Sequence, residues 1–146
     1  MEKGTLAIGC DHAGFEYKES LRFFLIKENY AVKDFGTFSN DSVDYPDYVH
    51  PLAHSIEDGI SEFGILICGS ANGVAITANK HKYIRAAIAW QNEVAALARR
   101  HNNANVLCLP ARFITLEQAR QFAITFLKTP FEGGRHTSRI KKIVTE

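Results

Sequence analysis

The chain has 146 residues, a length typical of one domain with a substantial core. Its 17 Lys and Arg residues against 16 Asp and Glu residues leave a formal charge of +1, so no overall field favours nucleic acid or a membrane surface as a partner. It has no leader-like start and no apolar run of the roughly 18 residues that span a membrane, and Cys10, Cys68 and Cys108 lack CxxC spacing. We therefore expect a cytoplasmic protein without a disulfide framework or a zinc knuckle.

Short apolar runs alternate with segments of helical period along the chain. The apolar runs predict strands over residues 5–9, 31–35, 64–68, 85–90 and 106–109, of which the second is weaker and more typical of a sheet edge. Helical spacing predicts helices over residues 15–28, 47–59, 74–80, 93–100 and 116–127. After "EGGR", the apolar residues Ile140, Ile143 and Val144 favour a last short helix.

This alternation predicts a single α/β domain over residues 1–146, a three-layer αβα sandwich with a five-stranded parallel sheet of flavodoxin-like or Rossmann-like type. For five strands we expect the order 2-1-3-4-5, which places the reversal of strand order between strands one and three. Ligands bind beyond the carboxyl ends of the strands at such a reversal. The two loops "GCDHAG" and "CGSANG" should therefore face each other.

The loop that follows the third strand runs from Gly69 to Gly73 and offers several backbone N–H groups to an anion or a developing oxyanion. It lacks the Lys-Ser/Thr of a Walker loop and does not fit the dinucleotide fingerprint, and a tight strand-to-helix turn is the alternative interpretation. Cys68 lies at the strand end beside this loop, where the field of a helix favours a thiolate that could take a proton from carbon. Buried free cysteines are common, however, and we expect Cys108 and Cys10 to be packing residues.

Asp11 and His12, at the end of the first strand, combine a proton acceptor with a titratable donor, a pair suited to hydroxyl protons or to an anion. The alternative for Asp11 is a helix cap. We expect the other histidines on helix faces or in loops, His50, His54 and His81, to be solvated and without partners at ligand spacing.

His101 and Asn102 follow the fourth predicted helix, which runs back toward the amino edge of the sheet. His101 should therefore lie far from the cleft of its own chain, and a catalytic His101 would have to come from a neighbouring subunit. The alternative is a polar helix end, where a histidine favours the helix dipole.

The stretch "GGRHTSR" places Arg135 and Arg139 four residues apart, on one face if the segment is helical. With His136, and with Arg112 just past the fifth strand, they could form a phosphate clamp. A solvated basic face is the alternative.

Five segments together form a recognisable pattern: "GCDHAGFEYK", "DYPDYV", "ILICGSANGVAITANK", "RHNNANVL" and "EGGRHTSRI". In their order and spacing the chain resembles the ribose/galactose isomerase family. The resemblance implies an open αβα sandwich and a homodimer, or a higher oligomer built from it, with active sites between subunits. It also implies interconversion of ribose 5-phosphate and ribulose 5-phosphate without a cofactor or metal.

The family roles fall on Cys68 as the base that moves a proton between C2 and C1 through a cis-enediolate, and on His101 as the acid that opens the sugar ring. Ser70 keeps the hydroxyl of a threonine found in some members, and Ala71 replaces a glycine; Val74 and Ala75 offer no carboxylate where some relatives use a glutamate base. The family's ligand-binding positions correspond to Cys10, Asp11, Gly69, Ser70, Ala71, Asn72, Gly73, Asn102, Arg112, Arg135 and Arg139. His12 and His136 adjoin this set, and the segment 131–146 is expected to supply phosphate-binding residues.

Three other functions remain open at the level of sequence. The same groups could isomerise a six-carbon sugar, such as allose 6-phosphate or galactose 6-phosphate. A non-catalytic phosphosugar-binding module is possible because a fold does not determine function, although pure binding needs no proton carrier such as Cys68. Nucleotide binding at a flavodoxin-like cleft lacks its fingerprint.

Overall fold

The structure is a computed structural model that describes residues 4–145; residues 1–3 and 146 of the predicted domain lie outside the described part. The strands are β1 (Thr5–Cys10), β2 (Ala31–Asp34), β3 (Phe63–Cys68), β4 (Ala86–Ile88) and β5 (Val106–Pro110). The helices are α1 (Phe15–Lys27), α2 (Pro46–Glu57), α3 (Asn72–Ala78), α4 (Asn92–Asn102), α5 (Leu116–Lys128) and α6 (Arg135–Lys141). No helix between residues 4 and 145 has the length and apolar character needed to cross a bilayer.

The strands form one parallel sheet in the order β2-β1-β3-β5-β4, so the expected order 2-1-3-4-5 is wrong in its last two places. All five residues of β5 are buried, which suits the interior of a sheet, whereas β4 has three partly buried residues and lies at the edge. The reversal between β1 and β3 lies where it was predicted. Because β5 is interior, its carboxyl end adjoins that of β3, with Cys68 opposite Pro110.

Helices cover both faces of the sheet, which confirms the predicted αβα sandwich. On one face α1, α4 and α5 enclose a core that contains Leu25 and Phe126; on the other face α2 and α3 enclose a core that contains Leu52, Val74 and the side chain of Cys68. Right-handed crossovers explain this division. Helix α3 leads across the sheet from β3 to β4, whereas α4 leads in the opposite direction from β4 back to β5. A right-handed connection in the opposite direction lies on the opposite face of the sheet.

The last helix differs from the sequence prediction. It begins at Arg135 and ends at Lys141, so that Ile140 is helical while Ile143 and Val144 lie beyond the helix and are exposed. Contacts between α6 and α4 place it against the end of α4, next to the amino edge of the sheet. Helix α6 therefore lies outside the three layers.

A buried ion pair ties α1 to the end of β2. Lys18 is fully buried, and its Nζ lies 2.8 Å and 2.7 Å from the two carboxylate oxygens of Asp34. The ammonium also lies 4.9 Å from the ring centroid of Phe38 and 5.5 Å from that of Phe15. The nearest other carboxylate, that of Glu19, is 3.6 Å away. The Asp34 carboxylate thus provides the main stabilising interaction for the Lys18 charge, which burial removes from water.

We expect Asp34→Ala to lower the free energy of unfolding by about 3 kcal/mol, because it leaves the buried Lys18 ammonium without its principal partner. Urea denaturation measures the change. The matched control is Asp58→Ala, which removes an exposed carboxylate at the end of α2 and should change stability by less than about 0.5 kcal/mol. Equal stability of the two variants would refute a stabilising role of the pair.

Candidate active site

A cleft of about 450 Å³ opens at the carboxyl edge of the sheet, where β1, β3 and β5 end side by side. A larger cavity of about 590 Å³ lies at the opposite edge, between α6 and the start of β4, and contains Asn102 but none of the groups at the three strand ends. The residues that line the cleft are Asp11, His12, Ala13, Tyr45, Cys68, Gly69, Ser70, Gly73, Arg112 and Phe113.

Asp11 caps the short 3₁₀ turn that follows β1. Its Oδ1 accepts hydrogen bonds from the N–H groups of Ala13 at 3.0 Å and Gly14 at 3.2 Å. Within the described chain, Oδ2 has no hydrogen-bond partner. The capping interpretation and the functional one are therefore compatible: one oxygen orients the carboxylate, and the other is left for a ligand at the cleft, which the side chain lines while it is 8% exposed.

His12 connects the cleft to the loop that precedes α2. Its Nδ1 accepts a hydrogen bond from the N–H of Val43 at 3.2 Å. In the neutral ring the proton therefore lies on Nε2, which makes that nitrogen a donor. The same loop leads to Tyr45, whose ring lies so close to Gly73 that a Cβ there would come within 2.5 Å of the ring. Glycine at position 73 is thus required by the approach of Tyr45.

The loop from Gly69 to Gly73 presents unpaired amides to the cleft. Among residues 4–145, the N–H groups of Ser70 and Ala71 find no hydrogen-bond acceptor. Those of Gly73 and Val74 belong to the first turn of α3, where a helix leaves its N–H groups free. The Ser70 hydroxyl accepts from the N–H of Asn72 at 3.3 Å. These amides can hold an anionic oxygen.

Arg112 lies across this loop. Its N–H donates to the carbonyl of Gly69 at 3.0 Å, and a Cβ at position 69 would come within 3.1 Å of its Nε. A side chain at position 69 would therefore push the Arg112 guanidinium away from the loop by a few tenths of an ångström. The positive charge of Arg112 and the free amides lie on the same side of the cleft, which makes that side attractive to an anion.

The three thiols differ in access. Cys68 is 5% exposed and lines the cleft, whereas Cys10 and Cys108 are more completely buried. Burial raises the pKa of Cys10 to about 12 and also raises that of Cys108, so both remain protonated at neutral pH. Both are packing residues as expected. The geometry does not support the predicted role of Cys10 in ligand binding, because its N–H and carbonyl bond to Gly36 and Thr37.

A second group of predicted site residues lies elsewhere, at the amino edge of the sheet. His101 lies in the last turn of α4 and stacks on His136 of α6 with ring centroids 4.2 Å apart and planes 14° apart. Its Nε2 lies 3.9 Å from a carboxylate oxygen of Glu132. Burial lowers the pKa of His136, and the neighbouring His101 and Arg135 lower it further. Because a neutral His136 carries no positive charge, it does not repel a protonated His101.

The structure thus divides the predicted residues into two sets. One set lines the cleft or its loop: Asp11, His12, Cys68, Gly69, Ser70, Ala71, Asn72, Gly73 and Arg112. The other set occupies the last turn of α4 and helix α6 at the amino edge: His101, Asn102, Arg135, His136 and Arg139. Strand β5 separates the two edges by roughly 15 Å, at about 3.3 Å per residue.

Three cleft residues, Ala13, Tyr45 and Phe113, were not predicted as site residues. Tyr45 belongs to the segment "DYPDYV", whose proximity to the third strand was not apparent from spacing. Phe113 is 75% exposed beside Arg112, and an exposed aromatic residue after a strand end is the signal that could have pointed to it.

The cleft combines a thiol, a half-free carboxylate, unpaired amides and a guanidinium at a reversal of strand order. This arrangement defines a parallel α/β protein with a binding site for a small anionic molecule and a group able to move a proton. The Ribose/Galactose Isomerase family profile matches residues 6–143, nearly the whole chain. The chain belongs to this family.

Individual relatives agree with that assignment. The ribose-5-phosphate isomerase B of Escherichia coli is 39% identical over 138 residues, which cover 94% of this chain and 93% of the relative. The structure of a ribose 5-phosphate isomerase from Thermotoga maritima is 48% identical with a TM-score of 0.96, covering 98% and 99% of the two chains. A Mycoplasma genitalium ribose-5-phosphate isomerase B with bound ribulose-5-phosphate is 40% identical with a TM-score of 0.93, covering 98% and 95%.

We expect iodoacetamide to modify Cys68 alone in the native protein, because only this thiol lines the cleft. Cys10 and Cys108 should stay unmodified even at about pH 8.5, the ordinary pKa of a thiol, since burial raises the pKa of Cys10 to about 12. Peptide mass spectrometry identifies the modified site, and alkylation in urea serves as the control in which all three react. Alkylation of native Cys10 before Cys68 would contradict the assignment.

Proposed function

We propose that this chain isomerises ribose 5-phosphate and ribulose 5-phosphate in the cytoplasm, as a homodimer whose active sites lie between subunits. The observation that supports this most directly is the position of Cys68: a reduced thiol at the end of β3, beside free amides and a guanidinium. Relatives of the chain are named ribose-5-phosphate isomerase B, and one of them has ribulose-5-phosphate bound. These names support a sugar phosphate as the class of substrate.

The phosphate is the natural ligand of the arginines. Arg135 and Arg139 lie on α6, in the C-terminal segment 131–146, and Arg112 lies in the cleft. Guanidinium groups bind phosphate through paired hydrogen bonds, so the clamp fixes one end of the sugar and orients its reacting carbons. Binding energy from the phosphate is thereby used to position the sugar for reaction.

The amino-edge residues reach the cleft only from a second copy of the chain. Cys68 and His101 lie at opposite edges of the sheet, too far apart for one five-carbon sugar phosphate to contact both within a chain. A dimer that places the α4 end and α6 of one copy against the cleft of the other joins His101, Asn102 and the two arginines to Cys68. Each dimer then has two equivalent sites.

The reaction needs ring opening followed by proton transfer. His101, stacked on a neutral His136, protonates the ring oxygen, and the free oxygen of Asp11 accepts the proton of the anomeric hydroxyl. The Cys68 thiolate then takes the proton from C2 and returns it to C1, while the hydroxyl proton on O2 passes to O1. The amides of the Gly69–Gly73 loop and the Ser70 hydroxyl hold the enediolate oxygen, each good donor contributing about 3 kcal/mol.

Cys68→Ala should reduce ketose formation from ribose 5-phosphate at least about 100-fold, because it removes the proton carrier. Binding of the sugar phosphate, measured by calorimetry, should change little, since the arginines and amides remain. Cys108→Ala removes a thiol of the same core that does not line the cleft and serves as the control; it should stay active. Near-normal turnover of Cys68→Ala would refute the assignment.

The same assay should be run with allose 6-phosphate and galactose 6-phosphate. Turnover of ribose 5-phosphate in preference to both supports the proposed substrate. Failure of all three, with binding retained, would favour a non-catalytic phosphosugar-binding module.

Mixing Cys68→Ala with His101→Ala chains should restore activity, because a hybrid dimer carries one site that has both groups. Random exchange yields hybrids as half of all dimers, each with one complete site, so about one quarter of wild-type activity is expected from the shared-site arrangement. Exchange is verified by native mass spectrometry with one isotopically labelled chain. Hybrids that form but remain inactive would contradict shared sites.

A further inference from the structure

Three histidines that the sequence suggested were solvated and unpartnered are brought together in the structure. His50, His54 and Glu57 lie four and three residues apart on α2, so they share one face of the helix. His81 comes from the turn after α3 and lies against that face. The expectation that these histidines lack partners at ligand spacing is therefore wrong, because the packing of α2 on α3 supplies the fourth member.

The distances within this cluster are those of a metal-binding site. Glu57 Oε1 lies 2.9 Å from Nδ1 of His81 and 3.3 Å from Nδ1 of His54. The three ligand atoms all lie within 4.8 Å of one another. In a tetrahedral zinc site, bonds of about 2.0–2.1 Å put neighbouring ligand atoms about 3.3 Å apart. Only a small adjustment of the His54 and His81 rings is needed for a common centre.

His50 contacts His81 on the side away from Glu57. Its Nδ1 lies 2.7 Å from Nε2 of His81, the nitrogen that does not face Glu57. When Nε2 of His81 carries the proton and donates it to His50, Nδ1 presents its lone pair toward Glu57 and His54. A metal-ligating histidine is oriented in this way by an acceptor on its second nitrogen.

The ligands are held by rigid elements. Val49, Leu52 and Ala53 of α2 pack into one core with Val74 and Ala78 of α3. The turn that carries His81 is fixed by two backbone bonds of that residue, from its N–H to Ala78 and from the N–H of Ile84 to its carbonyl, both 3.1 Å. The side chains of His81 and Glu57 are only 12% and 21% exposed, while that of His54 is 66% exposed and leaves access from solvent.

We propose that His54, Glu57 and His81 bind one divalent transition-metal ion, with zinc as the best fit, and that His50 is a positioning residue for His81. Two imidazoles and one carboxylate suit zinc, nickel or copper, whereas magnesium and calcium prefer oxygen ligands alone. Water fills the fourth position. The ion would link the C-terminal end of α2 to the turn after α3 and stabilise the folded state in proportion to its occupancy.

This site is separate from the proposed isomerase cleft. The loop that carries the free amides enters α3 at its first residue, whereas His81 follows the last, and seven helical residues span about 10 Å. The cation is therefore expected to affect stability and not the chemistry at Cys68. Isomerase activity of the His50, His54, Glu57 and His81 variants, measured in chains that retain His136, can accordingly serve as a check that they are folded.

The test is calorimetric titration of the EDTA-treated, desalted full chain with zinc chloride. A second grouping with ligand spacing, His101, Glu132 and His136, would confuse the count, so the titrations are also run with His136→Ala in every chain. In that background we expect one zinc per chain, and a rise in the thermal midpoint on addition of zinc. His54→Ala, Glu57→Gln and His81→Ala should each weaken binding by more than about 10-fold, the least that loss of an outer-shell partner costs.

Asp58→Asn is the matched control, since it removes the charge of an exposed carboxylate next to Glu57 and should leave both stoichiometry and affinity unchanged. The role of His50 is tested by a pair of variants: His50→Ala should weaken binding about 10-fold, and His50→Asn, which keeps an acceptor near the position of Nδ1, should restore it. Equal affinity of His50→Ala and wild type would refute the positioning role.

Two results would overturn the site itself. One is the absence of zinc binding to the chain at micromolar concentration. The other is an unchanged affinity in His54→Ala and Glu57→Gln, both of which leave the core of α2 and α3 intact because neither side chain belongs to it. In either case His50, His81 and Glu57 form only a hydrogen-bonded chain, with His54 beside Glu57.

Discussion

The pairing of β1 with β3 is the interaction on which the rest of the site depends. These neighbouring parallel strands are in register from Leu6 opposite Phe63 to Cys10 opposite Ile67, and the N–H of Asp11 extends the ladder to the carbonyl of Ile67 at 3.3 Å. A Cβ on Gly14 would come within 2.5 Å of that same carbonyl oxygen. The loop after β1 is therefore pressed against the end of β3, which places the Asp11 carboxylate and the Cys68 thiol in one cleft.

The same parallel geometry places the other predicted site residues at the edge of the sheet opposite the cleft. Each helix that follows a strand returns to the amino edge, so His101, in the last turn of α4, cannot share an edge with Cys68. The stacking of His101 on His136 then gathers the amino-edge groups into one cluster rather than leaving them dispersed. In the proposed dimer the two groups act as half-sites, and association of two copies is the simple way to bring them together.

Much of this could be predicted because strand apolarity and helical period are local. The strands, the reversal between β1 and β3, the position of Cys68 and the distance of His101 from it follow from the alternation of elements. The order of β4 and β5 could not be predicted, because it depends on which of the two strands buries more apolar surface in the sheet. The cluster around Glu57 depends on packing between distant segments, although the spacing of His50, His54 and Glu57 on one helix face was visible in the sequence.

Ala71 is a residue whose role becomes clear only when its sequence context and its conformation in the structure are considered together. The family resemblance marks it as a substitution for glycine in the loop, and the structure gives it a left-handed backbone with φ of 67°. For a residue with a Cβ this conformation costs roughly 1–2 kcal/mol. Its side chain is fully buried in the core between α2 and α3, so part of that cost is offset by burial of the methyl group. The packing of α2 on α3 thereby holds the loop in the conformation that leaves the amides of Ser70 and Ala71 free, and a cation that joined those two helices at their other ends would strengthen the same packing.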